Sequence, residues 1–286
     1  MSTHRVSPPR IDGRATRAAR PPAELAGASD AYRQTGFILG AEVDLVLAGF
    51  ELEGAHAEAA SGAKFRNRVV AAAYGPWSRS WLARLQALHA IEWGNYSSAT
   101  VLVRAAADFE AAVVAHLEGG AAEWSEWLDS GGIAAAHADH ATEFRLHAFR
   151  SAESLARHPT LGEIYRAASD LALPHFGATA LLTAAESDAT RVAATFGDRD
   201  FHLGLAELVL GWLLGLGAAH WELFGEQRAG FPPAPEGVSA WLERAQRALE
   251  RRDRCRFERI ERDGISRILI SNWRREPRAV PRRMLL

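Results

Sequence analysis

Residues 95–120 read NYSSATVLVRAAADFEAAVVAHLEGG, and this stretch decides the fold class. Asn95 is a side chain suited to capping a helix start, and Gly119 with Gly120 supplies the stop. Between them, Tyr96 to Leu117 is apolar nearly all the way round, the mark of a helix surrounded by other helices. Residues 201–224, FHLGLAELVLGWLLGLGAAHWELF, form the most hydrophobic helix in the chain, with Gly197-Asp198-Arg199-Asp200 giving a C-cap and then an N-cap. Two apolar central helices predict an all-α, multi-helix bundle.

Working outward, Ala, Leu, Glu and Arg dominate from about residue 30 to residue 263, with Gly or Pro at spacings that suit helix ends. A first helix is expected near Asp30 to Ala60, weakened by Gly36, Gly40, Gly49 and Gly54, and a loop at Ser61 to Asn67 ends it. Pro76 suits a first helical turn, after which Trp77, Trp81, Leu85 and Leu88 mark one buried stripe up to Gly94. A short helix over Trp124 to Leu128 follows. A long amphipathic helix is then expected from Ile133 to Arg157, stopped by His158-Pro159. Leu161 to Leu171 and Phe176 to Phe196 are the next helices. Ser239 is read as the cap of a charged helix to Asp263, supported by Glu243 with Arg247, Glu250 with Arg254 and Glu258 with Arg262. No strand alternation and no internal repeat is visible. The expected organisation is a disordered basic segment (1–29), the bundle (30–225), a Pro/Gly-rich linker (226–237), the charged helix (238–263) and a basic tail (264–286).

Composition excludes several classes of function. A chain of 286 residues, 48% hydrophobic, buries a full core without staples, and its one cysteine, Cys255, excludes a disulfide framework and a cysteine-only zinc site. The first 27 residues contain no apolar run and so no secretory signal. The apolar stretch Leu208 to Ala219 is shorter than the ~20 residues of a spanning helix, so a soluble, cytoplasmic protein with no membrane span is expected. Thirty-two arginines against one lysine read as coding bias. Residues 1–27 carry +3 and residues 264–286 carry +5, leaving −10 on the body. Such ends are either solvated and disordered, or they are a basic footprint for RNA or a membrane surface. Lys64 follows no glycine-rich loop, no Gly-x-Ser-x-Gly elbow occurs, and Cys255 has no histidine nearby, so nucleotide-loop and nucleophilic hydrolase chemistry find no support.

Two groupings carry chemistry. Arg104, Asp108 and Glu110 interrupt an apolar helix; Arg104 and Asp108 share a face, while Glu110, about 120° from Arg104, needs a partner on another helix. Buried charges persist when paired, so these three either lock the bundle's register or line a polar pocket. The second grouping is His137, His140, Glu143 and His147, read as one helical stripe that is either a solvated face or half of a divalent-metal site. Since His140 and His147 stand about 10 Å apart along an axis, only a pair such as His140 with Glu143, or Glu143 with His147, could share one metal. His220 with Glu222, or Glu110, could complete it from other helices. A di-iron bundle needs two Glu-x-x-His pairs, and only Glu53 to His56 fits, at the frequency chance supplies.

The segment Gly94-Asn95-Tyr96-Ser97-Ser98-Ala99, then Val101-Leu102-Val103-Arg104 and Asp108, resembles a helix signature of HEPN-like prokaryotic all-helical families. Tyr165-Arg166-Ala167-Ala168-Ser169 with His175 resembles a later feature of that group. The resemblance spans about a third of the chain, and His175 lies further from Ser169 than that pattern has it. It implies a helical bundle, dimerisation, and a link to RNA cleavage or host defence. In the ribonuclease branch an Arg and a His lie four to six residues apart on one helix, which implies Arg84 and His89 here as catalytic, although five residues place them about 140° apart on a regular helix.

The leading expectation is therefore a HEPN-like interaction module linked to RNA or nucleotides, homo-oligomeric, touching RNA through its basic termini. The alternatives are a metal-dependent enzyme with an interhelical His/Glu site, and a non-catalytic partner-binding protein that docks through its charged C-terminal helix.

Overall fold

The computed structural model describes residues 11–62, 67–136, 141–188, 190–225 and 230–286. Its core is an all-α, multi-helix bundle. The first expected helix divides at Leu39, whose backbone leaves the helical region, into α1 (Ala26–Ile38) and α2 (Gly40–Ala60). α3 (Arg68–Glu92) starts at Asn67, whose side-chain oxygen accepts from the Val69 and Val70 N–H groups, and Pro76 lies inside this helix rather than in its first turn. α4 (Tyr96–Glu118) is capped by Asn95, and α5 (Ala122–Asp129) follows. The remaining helices are α6 (Ser151–Arg157), α7 (Pro159–Ala172), α8 (Phe176–Thr183), α9 (Leu203–Gly225) and α10 (Val238–Leu249).

One helix is strongly apolar and almost wholly buried. α9 packs against α2, α3, α4, α7 and α10, and Leu210, Leu214 and Leu216 have no exposure. Its Leu203–Phe224 stretch is long and apolar enough to cross a membrane, but 94% of its apolar window is buried inside the protein. Truncating any of these three leucines to alanine should cost about 2–5 kcal/mol. α4 differs from expectation. Its C-terminal half is enclosed by α3, α6, α7 and α9, but Ser97, Ser98 and Val101 face solvent, and Arg104 and Asp108 are half-buried. It is two-faced rather than apolar all round.

Two segments expected to be helical form strands. Residues 133–144 contain the antiparallel pair β1 (Ile133–Ala136) and β2 (Ala141–Phe144), in register from Ile133 opposite Phe144 to Ala136 opposite Ala141. Arg145 continues the pairing with an N–H bond to the Gly132 carbonyl, so tertiary pairing overrides the helical propensity of this Ala-rich run. At the C-terminus, β3 (Arg256–Arg262), β4 (Ile265–Trp273) and β5 (Arg282–Leu285) form an antiparallel sheet in the order β3-β4-β5. Asp263 and Gly264 both take positive φ, 57° and 72°, and form the two-residue hairpin turn between β3 and β4. The charged helix accordingly ends at Leu249, and its N-cap is Gly237 rather than Ser239. Of its three expected ion pairs only Glu243 with Arg247 forms, while Arg254 turns inward to Glu42. α8 is also shorter than expected: the backbone leaves the helical region at Ala184, and Asp188 turns the chain that follows by accepting from the Thr190 and Arg191 N–H groups.

The two ends of the described chain are docked. Residues 11–25 form a strap along α3: Glu92 accepts from Arg17 Nε and the Ala18 N–H, each at 2.7 Å, and Trp93 Nε1 donates to the Ala19 carbonyl. The C-terminal sheet is held by Arg254, which bonds Glu42 at 2.8 Å and the Glu207 carbonyl at 2.6 Å, and by Trp273, buried beside His202. Corrected on these points, the expected basic tail from residue 264 onward is mostly strand.

Candidate functional site

The buried stripe of α2 runs through Val43, Val46 and Phe50 and then meets a carboxylate, Glu53, which is 1% exposed. A charge at a core position must be paired. Trp77 and Arg84, seven residues apart on α3, supply the partners. Arg84 is bidentate on Glu53, with Nη1 to Oε1 at 2.7 Å and Nη2 to Oε2 at 2.6 Å, and Trp77 Nε1 donates to Oε2 at 3.2 Å. From α4, the fully buried Glu110 holds His220 of α9 through Oε1 and Nδ1 at 2.7 Å. The other nitrogen of that ring, Nε2, stands 3.8 Å from Glu53 Oε2. One imidazole thus links the carboxylates of two helices. His56, one turn beyond Glu53, is packed among Trp77, Trp221, Phe224 and Phe231, with Nε2 3.1 Å from the Pro232 carbonyl.

The electrostatics follow from this packing. Burial pushes the Glu110 carboxyl up, but the charge and hydrogen bond of His220, then Arg84 and Ser80, outweigh it and hold Glu110 below the usual carboxylate range. Burial pulls Arg84 down, yet Glu53 outweighs it and holds the guanidinium above its ordinary value. His56 is pushed below the ordinary imidazole value by burial. Four buried polar atoms of this cluster make no hydrogen bond, Arg84 Nε, Glu110 Oε2, His220 Nε2 and His56 Nδ1, although His220 Nε2 has Glu53 Oε2 at 3.8 Å.

Glu53 also lines a cavity of about 270 Å³. Tyr74, Trp77 and Trp81 of α3 form its aromatic wall, Ala57 of α2 lies opposite, and residues 11–13 of the strap border it. Strap and helix meet backbone to backbone there, since a Cβ on Gly54 would stand 2.1 Å from the Gly13 carbonyl oxygen. The result is an aromatic-walled chamber with one buried carboxylate that is already held in place.

The other sequence-derived candidates lie as follows. Arg84 is committed to Glu53, whereas His89 is half-buried with Nε2 2.7 Å from the Thr16 carbonyl; the two side chains point to different neighbours. Arg104 and Asp108 do not pair with each other. Arg104 donates to Tyr165 Oη at 3.0 Å and Ser169 Oγ at 3.1 Å, and Asp108 accepts from Ser151 Oγ. Glu143 lies on β2 and His147 in the following coil, both exposed, while His137 and His140 fall outside the described residues. Among the described residues, no group of three or more His, Cys, Asp or Glu side chains is placed to hold one metal ion.

Sequence reasoning placed Glu110 in need of a partner on another helix, and that partner is His220. It missed Glu53 as a site residue, having set aside Glu53 to His56 as a chance match. The available signal was a glutamate falling on the buried stripe three residues after Phe50. No protein-family model, curated protein or solved structure matches this chain.

Proposed function

We propose that this chain is an enzyme whose active site is the interhelical Glu53–Arg84–Glu110–His220 network, reached through the cavity beside Trp77 and Trp81. The observation that carries this reading is that Glu53 is buried, triply hydrogen-bonded and yet forms part of the cavity wall. A preorganised carboxylate in an aromatic-walled chamber, with Ser78 and the exposed Asp12 as the other polar side chains besides Tyr74 on its lining, suits a small molecule with an apolar body and one hydrogen-donating polar end. Glu53 would accept that donor, and His220, oriented by Glu110 with Nε2 3.8 Å from Glu53 Oε2, would stand behind the carboxylate and support its charge. The test is titration with benzyl alcohol, a probe of this shape. Saturable binding, weakened by Glu53→Gln and blocked by Ala57→Phe, supports the reading; binding indifferent to Ala57→Phe overturns it.

A divalent metal at the same network is the second reading, favoured by the His220 ring. Its Nδ1 is fixed by a carboxylate while Nε2 makes no hydrogen bond and faces Glu53 Oε2 at 3.8 Å, the orientation of a metal-binding imidazole. Glu53 would be the neighbouring ligand, in competition with Arg84. Elemental analysis of untagged protein beside His220→Ala decides it: near-stoichiometric metal lost in the variant supports it, and metal-free protein removes it. The HEPN-like reading, with its oligomer and RNA contact through the basic ends, rests on the sequence resemblance. The meeting of Arg104 with Tyr165 and Ser169, three positions of that signature, is compatible with it. RNA cleavage lost in His89→Ala would support it, and cleavage unchanged in that variant would reject it.

A further inference from the structure

A second cavity, of about 120 Å³, lies where α4 and α9 begin, and it is independent of the Glu53 site. Its wall includes Tyr96, Glu186, Asp198, His202 and Arg275. Gly94 positions this corner: at φ +68° its backbone passes so close to Arg199 that a Cβ would stand 2.1 Å from the Arg199 carbonyl oxygen. His202 is only 8% exposed, and its ring lies 4.3 Å from that of Trp273. Its Nδ1 accepts from the Leu205 N–H at 3.4 Å, so in the neutral ring Nε2 carries the proton, and that buried N–H has no acceptor. Tyr96 Oη accepts from the His202 backbone N–H at 3.0 Å, which leaves its own proton to donate. Arg275 is paired at 3.0 Å with Asp200, which also lines the cavity, and Glu186 and Asp198 bring the carboxylates of the wall to three.

This cavity therefore combines neutral donors and the Arg275–Asp200 ion pair with two further carboxylates. A bare cation would leave the His202 and Tyr96 donors without acceptors, and a bare anion would face Glu186 and Asp198. We propose that it binds a small zwitterion of amino-acid size, with the carboxylate accepting from His202 Nε2–H and Tyr96 Oη–H near Arg275, and the ammonium held by Glu186 and Asp198.

The test is calorimetric titration of the full chain with glycine and L-alanine, with acetate and methylamine as half-ligands, while the His202 ring nitrogens are followed by NMR. Saturable binding of either zwitterion, a shift of the His202 Nε2 resonance, and half-ligands weaker by about tenfold or more are expected. Asp198→Asn, which changes only a rim side chain, should weaken binding by about tenfold, and His202→Phe should abolish it. No saturable binding of either zwitterion at about 10 mM would overturn the proposal, as would acetate or methylamine alone binding as tightly as the zwitterion. Full binding retained in Asp198→Asn would equally reject the ammonium placement.

Discussion

Replacing Arg84 with methionine tests the electrostatic core directly. Methionine keeps the unbranched apolar stem but removes two charge-assisted hydrogen bonds, at 2.6 and 2.7 Å, from a carboxylate that is 1% exposed. Trp77 alone remains as its hydrogen-bonded partner, with His220 Nε2 at 3.8 Å. Breaking a buried pair by removing one member costs about 3–5 kcal/mol, because the surviving charge stays in the core. With an unfolding entropy near 2.1 cal/mol/K per residue, a 286-residue chain loses roughly 2 °C per kcal/mol, so the Tm should fall by about 5–9 °C. Glu53→Gln in the same background removes the stranded charge. The double variant should then be less destabilised than the two single changes combined, with a coupling of about 2 kcal/mol. Urea unfolding followed by tryptophan fluorescence on all four proteins measures this. A loss below about 1 kcal/mol for Arg84→Met, or strict additivity, would refute the argument.

Four further outcomes follow from the structure. Gly54→Ala forces a methyl against the Gly13 carbonyl, and should cost about 1–3 kcal/mol and make residues 11–25 sensitive to limited proteolysis. Burial, then Arg275, pushes His202 down to about 4, so the unfolded chain binds the extra proton below pH 6.5. Stability from this group is fully present above about pH 6.5 and is lost as pH falls toward 4, by roughly 3 kcal/mol, and His202→Phe should flatten that slope in pH-dependent urea unfolding. Cys255 is 2% exposed and burial pushes its thiol up to about 12, so a thiol reagent at neutral pH should label it only on unfolding. Arg254→Met, which leaves Glu42 with Arg251 as its ion-pair partner and the Glu207 carbonyl without its 2.6 Å donor, should cost about 2 kcal/mol and speed that labelling by freeing the C-terminal sheet.

The bundle was legible where caps and stripes agree. Asn95 and Gly119 bracket α4, and the run from Leu203 defines α9, because both signals are local. The strands were less so. Asp263-Gly264 is a strong hairpin signal, yet the i,i+4 charge pairs of the flanking residues also fit a helix, and the choice was made by Arg254 turning inward to Glu42 and by Trp273 packing on His202. The site was half legible. A buried acid on α4 demanded a partner, but which helix faces Glu110 is a tertiary fact, and 110 residues separate it from His220. Glu53 was hidden because a glutamate on an amphipathic helix reads as solvated until its neighbour Phe50 is known to face the core.

Benzyl alcohol titration of the untagged protein, with Glu53→Gln and Ala57→Phe in parallel, tests most directly whether the Glu53 network serves a ligand. Saturable one-to-one binding that quenches or enhances tryptophan emission, is weakened in Glu53→Gln and is absent in Ala57→Phe is the expected result. Binding that survives Ala57→Phe, or no binding to the well-folded wild-type chain, would contradict it and leave the network a purely structural lock on α2, α3, α4 and α9.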